Sequence, residues 1–111
     1  MSSTSGPVTV INVFTPQPGR IDEFLQVQTE ALARFRGRVD GLRGSRLFRA
    51  LDGRNAIQVS MFESREALER FTGSDAFASH RDRVMPLLEQ ADPSLYELVY
   101  EAGNITAGAA T

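Results

Sequence analysis

The stretch Gly41-Leu42-Arg43-Gly44-Ser45-Arg46-Leu47, followed by Leu51-Asp52-Gly53-Arg54-Asn55, Met61-Phe62-Glu63-Ser64-Arg65-Glu66-Ala67-Leu68 and Ser74-Asp75-Ala76-Phe77-Ala78-Ser79-His80-Arg81, decides the fold. It reads as a strand, an Asp-Gly turn, a second strand closing on an aromatic residue, and serine-capped helices that carry the chain's only histidine on an apolar stripe. Residues 45–51 and 55–62 form the arms of the hairpin. The second arm alternates Ile57, Val59 and Met61 against Gln58, Ser60 and Phe62, so one of its sides is greasy and the other mixed. Ser64 caps a short helix ending at Phe71. Ser74 caps a longer one reaching about Gln90, which Pro86 should kink or interrupt.

Upstream, the β-branched run at 8–15 (VTVINVFT) lies between Pro7 and Pro16 and reads as a strand. Both of its faces are largely apolar, which predicts cover on both sides. After Pro18-Gly19, Ile21, Phe24, Leu25, Gln28, Leu32 and Phe35 recur at helical spacing, predicting a helix over 20–36 that Gly37 stops. Downstream, Tyr96, Leu98 and Tyr100 alternate with Leu95, Glu97, Val99 and Glu101, predicting a final strand over 95–101. The order β-α-β-β-α-β predicts a ferredoxin-like α+β domain over 8–102 with an antiparallel sheet, and the small-residue segments 1–7 and 103–111 read as disordered tails.

Composition narrows the function classes. The 111 residues carry a net charge of -2, which gives no electrostatic footprint for nucleic acid. With no Cys, thiol nucleophiles and cysteine metal sites are excluded, and with all 12 basic residues Arg rather than Lys, so is a Schiff base. No secretory pattern or membrane-length apolar run occurs, so the expectation is a cytoplasmic protein away from membranes. The sequon Asn104-Ile105-Thr106 carries no meaning in that setting. No glycine-rich fingerprint indicates a flavin, nicotinamide or nucleotide site, and a lone His with Val84 at i+4 cannot assemble a metal site within one chain.

Two polar residues stand where apolar ones are expected. Asn12 sits mid-strand on an apolar face, where an amide without partners costs roughly 1–3 kcal/mol. Either a loop or a water satisfies it, or its amide points into a pocket and holds a substrate oxygen. His80 follows Phe77 by three residues and precedes Val84 by four, on the inward stripe of its helix. It is either a hydrogen-bonded core residue or the one side chain suited by default to exchange a proton at neutral pH. Around these two, Phe14, Gln58, Ser60, Phe62 and Phe71 are candidates to line a pocket, with ordinary core packing as the alternative for the aromatic ones. Arg81 either meets a phenolate at the pocket mouth or, like Arg83, is a solvated helix charge.

The strand running into Pro18-Gly19-Arg20, the Gly41-Leu42-Arg43-Gly44-Ser45 approach to the hairpin and Phe62-Glu63-Ser64-Arg65-Glu66-Ala67-Leu68 together resemble the antibiotic biosynthesis monooxygenase family over about 8–101. The resemblance implies a dimeric α+β barrel: a homodimer in which two sheets face each other, each protomer holding a pocket between sheet and helices. A sheet apolar on both faces agrees, since a second copy supplies the missing cover. The activity implied is a cofactor-independent monooxygenase that uses O₂ to convert an aromatic, polyketide-like phenol or anthrone to a quinone, with Asn12 and His80 as catalytic residues. In the quinone-forming members a Trp commonly stands at the place of Phe62 and an amide at the place of Gln58; Phe62 keeps the flat wall without the indole donor.

Two other readings follow from the same resemblance. In haem-degrading members, where haem is the substrate, an Asn lies seven residues before the Gly that opens helix one, as Asn12 does before Gly19. Those members, however, carry their proximal His where this chain has Arg81, and a Trp where it has Phe71. The other reading is a non-catalytic dimeric ligand-binding module, which predicts Asn12 and His80 bonded to each other or to backbone with no cavity between them.

Overall fold

The computed structural model describes residues 6–103. The expectations for 1–5 and 104–111, and for the Asn104 sequon, lie outside the described residues. The chain runs β1 (Val8–Pro16), α1 (Ile21–Phe35), β2 (Leu42–Arg49), β3 (Ala56–Phe62), α2 (Arg65–Thr72), α3 (Asp75–Val84), a 3-10 turn at Met85–Leu87 and β4 (Leu88–Tyr96). The strands form one antiparallel sheet in the order β2-β3-β1-β4, the ferredoxin-like arrangement with helices inserted after β1 and β3.

Local chemistry accounts for the elements. The Ser64 hydroxyl accepts from Ala67 N at 3.1 Å to start α2, and the Ser74 hydroxyl accepts from Phe77 N at 3.2 Å to start α3. Gly37 leaves α1 at φ 72°, and Gly53 turns the β2–β3 hairpin at φ 76°, where the Asp52 carboxylate accepts from Arg54 N at 3.0 Å. Gly41 has no substitute: at φ 85° its backbone passes so close to α2 that a Cβ there would lie 2.5 Å from the Ala67 methyl. This contact seats α2 against the start of β2, which begins at Leu42, before the expected 45, with a register shift between Leu42 and Gly44.

The C-terminal end departs from expectation. The helix predicted to reach Gln90 ends at Val84, because Pro86 has no N–H to give and the chain tightens into the 3-10 turn. The final strand then runs Leu88–Tyr96, starting seven residues and ending five residues before the predicted 95–101, and pairs with β1 from Pro16↔Leu88 to Thr9↔Tyr96. As an edge strand it tolerates Pro93 and a polar outer side, so composition hid it. The alternating Leu98, Val99 and Tyr100 instead lie beyond the sheet, strongly exposed.

Sheet register separates the two faces. On one, Phe14 pairs with Ala56, Asn12 with Gln58 and Val10 with Ser60, and this is the face that α1, α2 and α3 cover. On the other, Ile11, Val13, Ile57, Val59 and Met61 are half-buried with no helix over them. The covered face holds two hydrophobic clusters. Phe14, Phe24, Ala56, Val84, Leu87 and Leu88 pack at one end, and Phe62, Ala67 and Leu68, flanked by Val8, Val10, Leu42 and Phe71, at the other.

Candidate active site

Between the two clusters each element places a polar residue where its stripe would otherwise be apolar. On β3 the covered face reads Ala56, Gln58, Ser60, Phe62; on β1 it reads Phe14, Asn12, Val10; on α1 the inward stripe runs Phe24, Gln28, Leu32. The result is a continuous row. His80 Nε2 lies 2.7 Å from Gln28 Oε1, the Gln28 amide donates to Gln58 Oε1, Gln58 Nε2 donates to Ser60 Oγ at 3.1 Å, and Ser60 Oγ lies 2.8 Å from Ser45 Oγ. Gln28, Ser60 and His80 are the buried polar residues of the described chain.

Along this row a cavity of about 290 Å³ opens, at the small end of the roughly 300–1,000 Å³ usual for small-molecule pockets. Asn12, Phe14, Gln58 and Ser60 line its sheet side, and Phe62, Phe71, His80 and Arg81 complete the residues expected from sequence, so all of them border one space. The walls are otherwise apolar, with a chain of aromatic contacts: Phe35 stands edge-on to Phe71 at 5.2 Å and to the His80 ring at 6.0 Å, and Phe71 edge-on to Phe77 at 5.3 Å. Phe14 also belongs to the core, packing on Phe24 at 4.8 Å, so the pocket and core readings of that residue hold together. Phe62 likewise does both, being 3% exposed within its cluster.

Two buried atoms lack a hydrogen-bond partner among the described residues, and they are Asn12 Oδ1 and His80 Nδ1. Orphaned polar atoms of this kind are uncommon in folded proteins, and each costs roughly 1–3 kcal/mol. Burial, reinforced by the positive charges of Arg34 and Arg83, holds the His80 pKa below the ordinary histidine value. The imidazole is therefore neutral at neutral pH, with one nitrogen engaged and the other free. Its neighbour Arg81 is exposed, and its guanidinium carbon sits 5.9 Å from the Phe77 ring centroid at the edge of the cavity. The inward position in this register thus belongs to His80. Among the described residues no three His, Asp, Glu or Cys side chains gather into a group that could hold a metal ion, and no helix is long and apolar enough to cross a membrane.

With this geometry in view, the sequence profile of the antibiotic biosynthesis monooxygenases matches residues 7–83. The chain belongs to that family. Solved structures repeat the monooxygenase-family fold: Rv0793 from Mycobacterium tuberculosis is 26% identical with a TM-score of 0.77, over 88% of this chain and 100% of that one. SnoaB, a cofactor-independent oxygenase from Streptomyces nogalater, is 23% identical with a TM-score of 0.78, over 86% of this chain and 96% of that one. Curated proteins include no significant match.

Two polar residues of the candidate site, and the wall residue Phe35, are not singled out by the sequence reading. Gln28 had been counted within an apolar helical stripe, although an amide between Phe24 and Leu32 on that stripe is the same signal that singled out Asn12. Ser45 carries no such signal, since its role depends on the cross-strand pairing Ser45↔Ser60.

Proposed function

We propose that this family member is a cofactor-independent monooxygenase that oxidises a compact aromatic phenol or anthrone to a quinone with O₂. The observation that carries this reading is one aromatic-walled cavity bordered both by His80, a buried neutral histidine whose Nδ1 has no partner among the described residues, and by Asn12, a mid-strand asparagine whose carbonyl has none. An electron-rich carbon acid needs little else. A base removes a proton from the ring methylene, and the resulting carbanion, stabilised as a phenolate, transfers electrons to O₂. A C–O bond forms, giving a hydroperoxide; loss of water from it leaves the new quinone carbonyl, so the substrate supplies every electron that reduces the oxygen.

Each residue has a part in this scheme. His80 takes the proton and returns it to the peroxide oxygen, a role suited to a side chain whose pKa keeps it unprotonated at neutral pH. The amide of Asn12, not tied down through its carbonyl, turns toward the substrate oxygen on which charge develops. Phe62, Phe71 and Phe35 provide flat apolar walls that hold a planar ring and exclude water. Arg81, at the cavity edge, meets the phenolate or another acidic substituent. The non-catalytic reading predicts Asn12 and His80 bonded to each other or to backbone with no cavity between them; a cavity bordered by both, with Asn12 Oδ1 and His80 Nδ1 unpartnered among the described residues, counts against it. The half-buried apolar outer face supports a homodimer closed sheet to sheet, the arrangement typical of this fold.

The test is turnover of an anthrone by metal-free protein under aerobic and anaerobic conditions, with oxygen uptake followed in the aerobic arm. Turnover should require O₂, and His80→Ala and Asn12→Ala should each lower it by about 10²–10³-fold. Uptake unchanged in both variants overturns the assignment.

A further inference from the structure

The row that ends on His80 has a direction, and that direction has a chemical consequence. An amide is a donor at nitrogen and an acceptor at oxygen, so in a chain of amides every link points the same way. As the row stands, the Gln28 carbonyl faces His80 and the Gln28 amide nitrogen donates onward to Gln58, which donates to Ser60. The Ser45 and Ser60 hydroxyls rotate to suit either direction, so the serine end does not choose. The histidine end does. Reversing the row would make His80 Nε2 an acceptor and put the ring proton on Nδ1, where a buried N–H would have no partner. Buried orphan donors are rarer than orphan acceptors, so the row settles with the proton on Nε2.

We propose that Gln28 is the positioning residue of this site: its carbonyl accepts from His80 Nε2–H, fixes that tautomer, and leaves the ring's lone pair on Nδ1. The proposal rests on the reading of His80 as the base. Gln28 touches no reacting atom and acts through the imidazole. The polar row orients but does not conduct, since an amide does not pass a proton along at ordinary acidity. An amide also does something a carboxylate would not. It holds the ring by one hydrogen bond while adding no negative charge, so the imidazolium gains no strong ionic partner and His80 stays unprotonated between turnovers. The charged groups acting on the ring, Arg34 from α1 and Arg83 from α3, push the same way.

Because His80 is the only histidine, its ring nitrogens are read without ambiguity in ¹⁵N-labelled full-length protein. Long-range ¹H–¹⁵N correlation of the wild type should show Nε2 protonated and Nδ1 bare; a wild-type ring protonated on Nδ1 overturns the proposal without any variant. In Gln28→Leu the fixed pattern should give way to a mixture of tautomers, and anthrone oxidation should fall at least tenfold in kcat with KM changed less than threefold. Gln28→Glu keeps an acceptor, so it should retain Nε2–H, recover part of kcat and move the His80 titration to higher pH. A Gln28→Leu protein that keeps both the wild-type nitrogen pattern and wild-type kcat contradicts the positioning role while leaving His80 as base. The predicted nitrogen patterns in proteins that never oxidise an anthrone confirm the tautomer lock and overturn the monooxygenase reading instead.

Discussion

The two ends of the helix-covered face and the middle between them are built from the same strands and helices by opposite rules. At the ends, side chains interdigitate: Phe24 is fully buried and sits on Phe14 beside Ala56, and Phe62 packs with Ala67 and Leu68. In the middle, Asn12, Gln28, Gln58, Ser60 and His80 occupy the equivalent inward positions, and what they border is a cavity. Well-packed interiors leave few spaces larger than a water, and burying an orphaned polar atom costs free energy, so a region that does both at once is poorly explained as structure alone. The contrast supports the proposal that the ends hold the fold while the middle takes a ligand.

The contrast can be broken most forcefully at Phe24. Phe24→Ala should cost about 3–5 kcal/mol in urea unfolding, because a fully buried ring is removed from a packed cluster. Phe71→Ala, on the cavity wall, should cost only about 1–2 kcal/mol, since the ring is half-buried and borders space already empty. Equal losses in the two variants would mean that the middle is core like the ends.

A sharper version substitutes within the polar row. Gln58→Leu alone should destabilise by about 1–3 kcal/mol, because the Gln28 amide loses its acceptor and Ser60 a donor. Replacing the whole segment, with His80→Phe, Gln28→Leu and Gln58→Leu together, should recover most of that loss, since of the row only Ser60 then remains to be satisfied, and it keeps Ser45. Activity should vanish in the same triple variant, the trade between stability and function expected of a site. The smallest effect is that of pH. His80 has a folded-state pKa below its unfolded value near 6.5, so the unfolded chain takes the proton first and stability is lost as pH falls from about 6.5 through the folded value. His80→Phe should flatten unfolding free energy over that window, measured above the range where carboxylates titrate.

How much of this was legible in the sequence depended on whether the signal was local. The serine caps at Ser64 and Ser74, the Asp52-Gly53 turn and the alternation of β3 are set by neighbours a few residues apart, and they form as read. The edge strand Leu88–Tyr96 was not legible, because its pairing with β1 is non-local and its outer side is free to be polar; the more strand-like 95–101 attracted the reading instead. For the site, Asn12 and His80 stood out as polar residues on apolar stripes. Gln28 gave the same sign on α1 and was passed over, while Ser45 became meaningful only once β2 and β3 were in register.

The claim that the middle is ligand space is tested most directly by the melting temperature with and without a dihydroxyanthrone, under anaerobic conditions so that nothing turns over. A ligand that binds only the folded protein raises the melting point by an amount that grows with the logarithm of its free concentration once that exceeds Kd. The account predicts a rise in the wild type that grows with ligand concentration and disappears in Asn12→Phe, whose ring would fill the cavity from the sheet side. An equal rise in both proteins, or none in either, would contradict it.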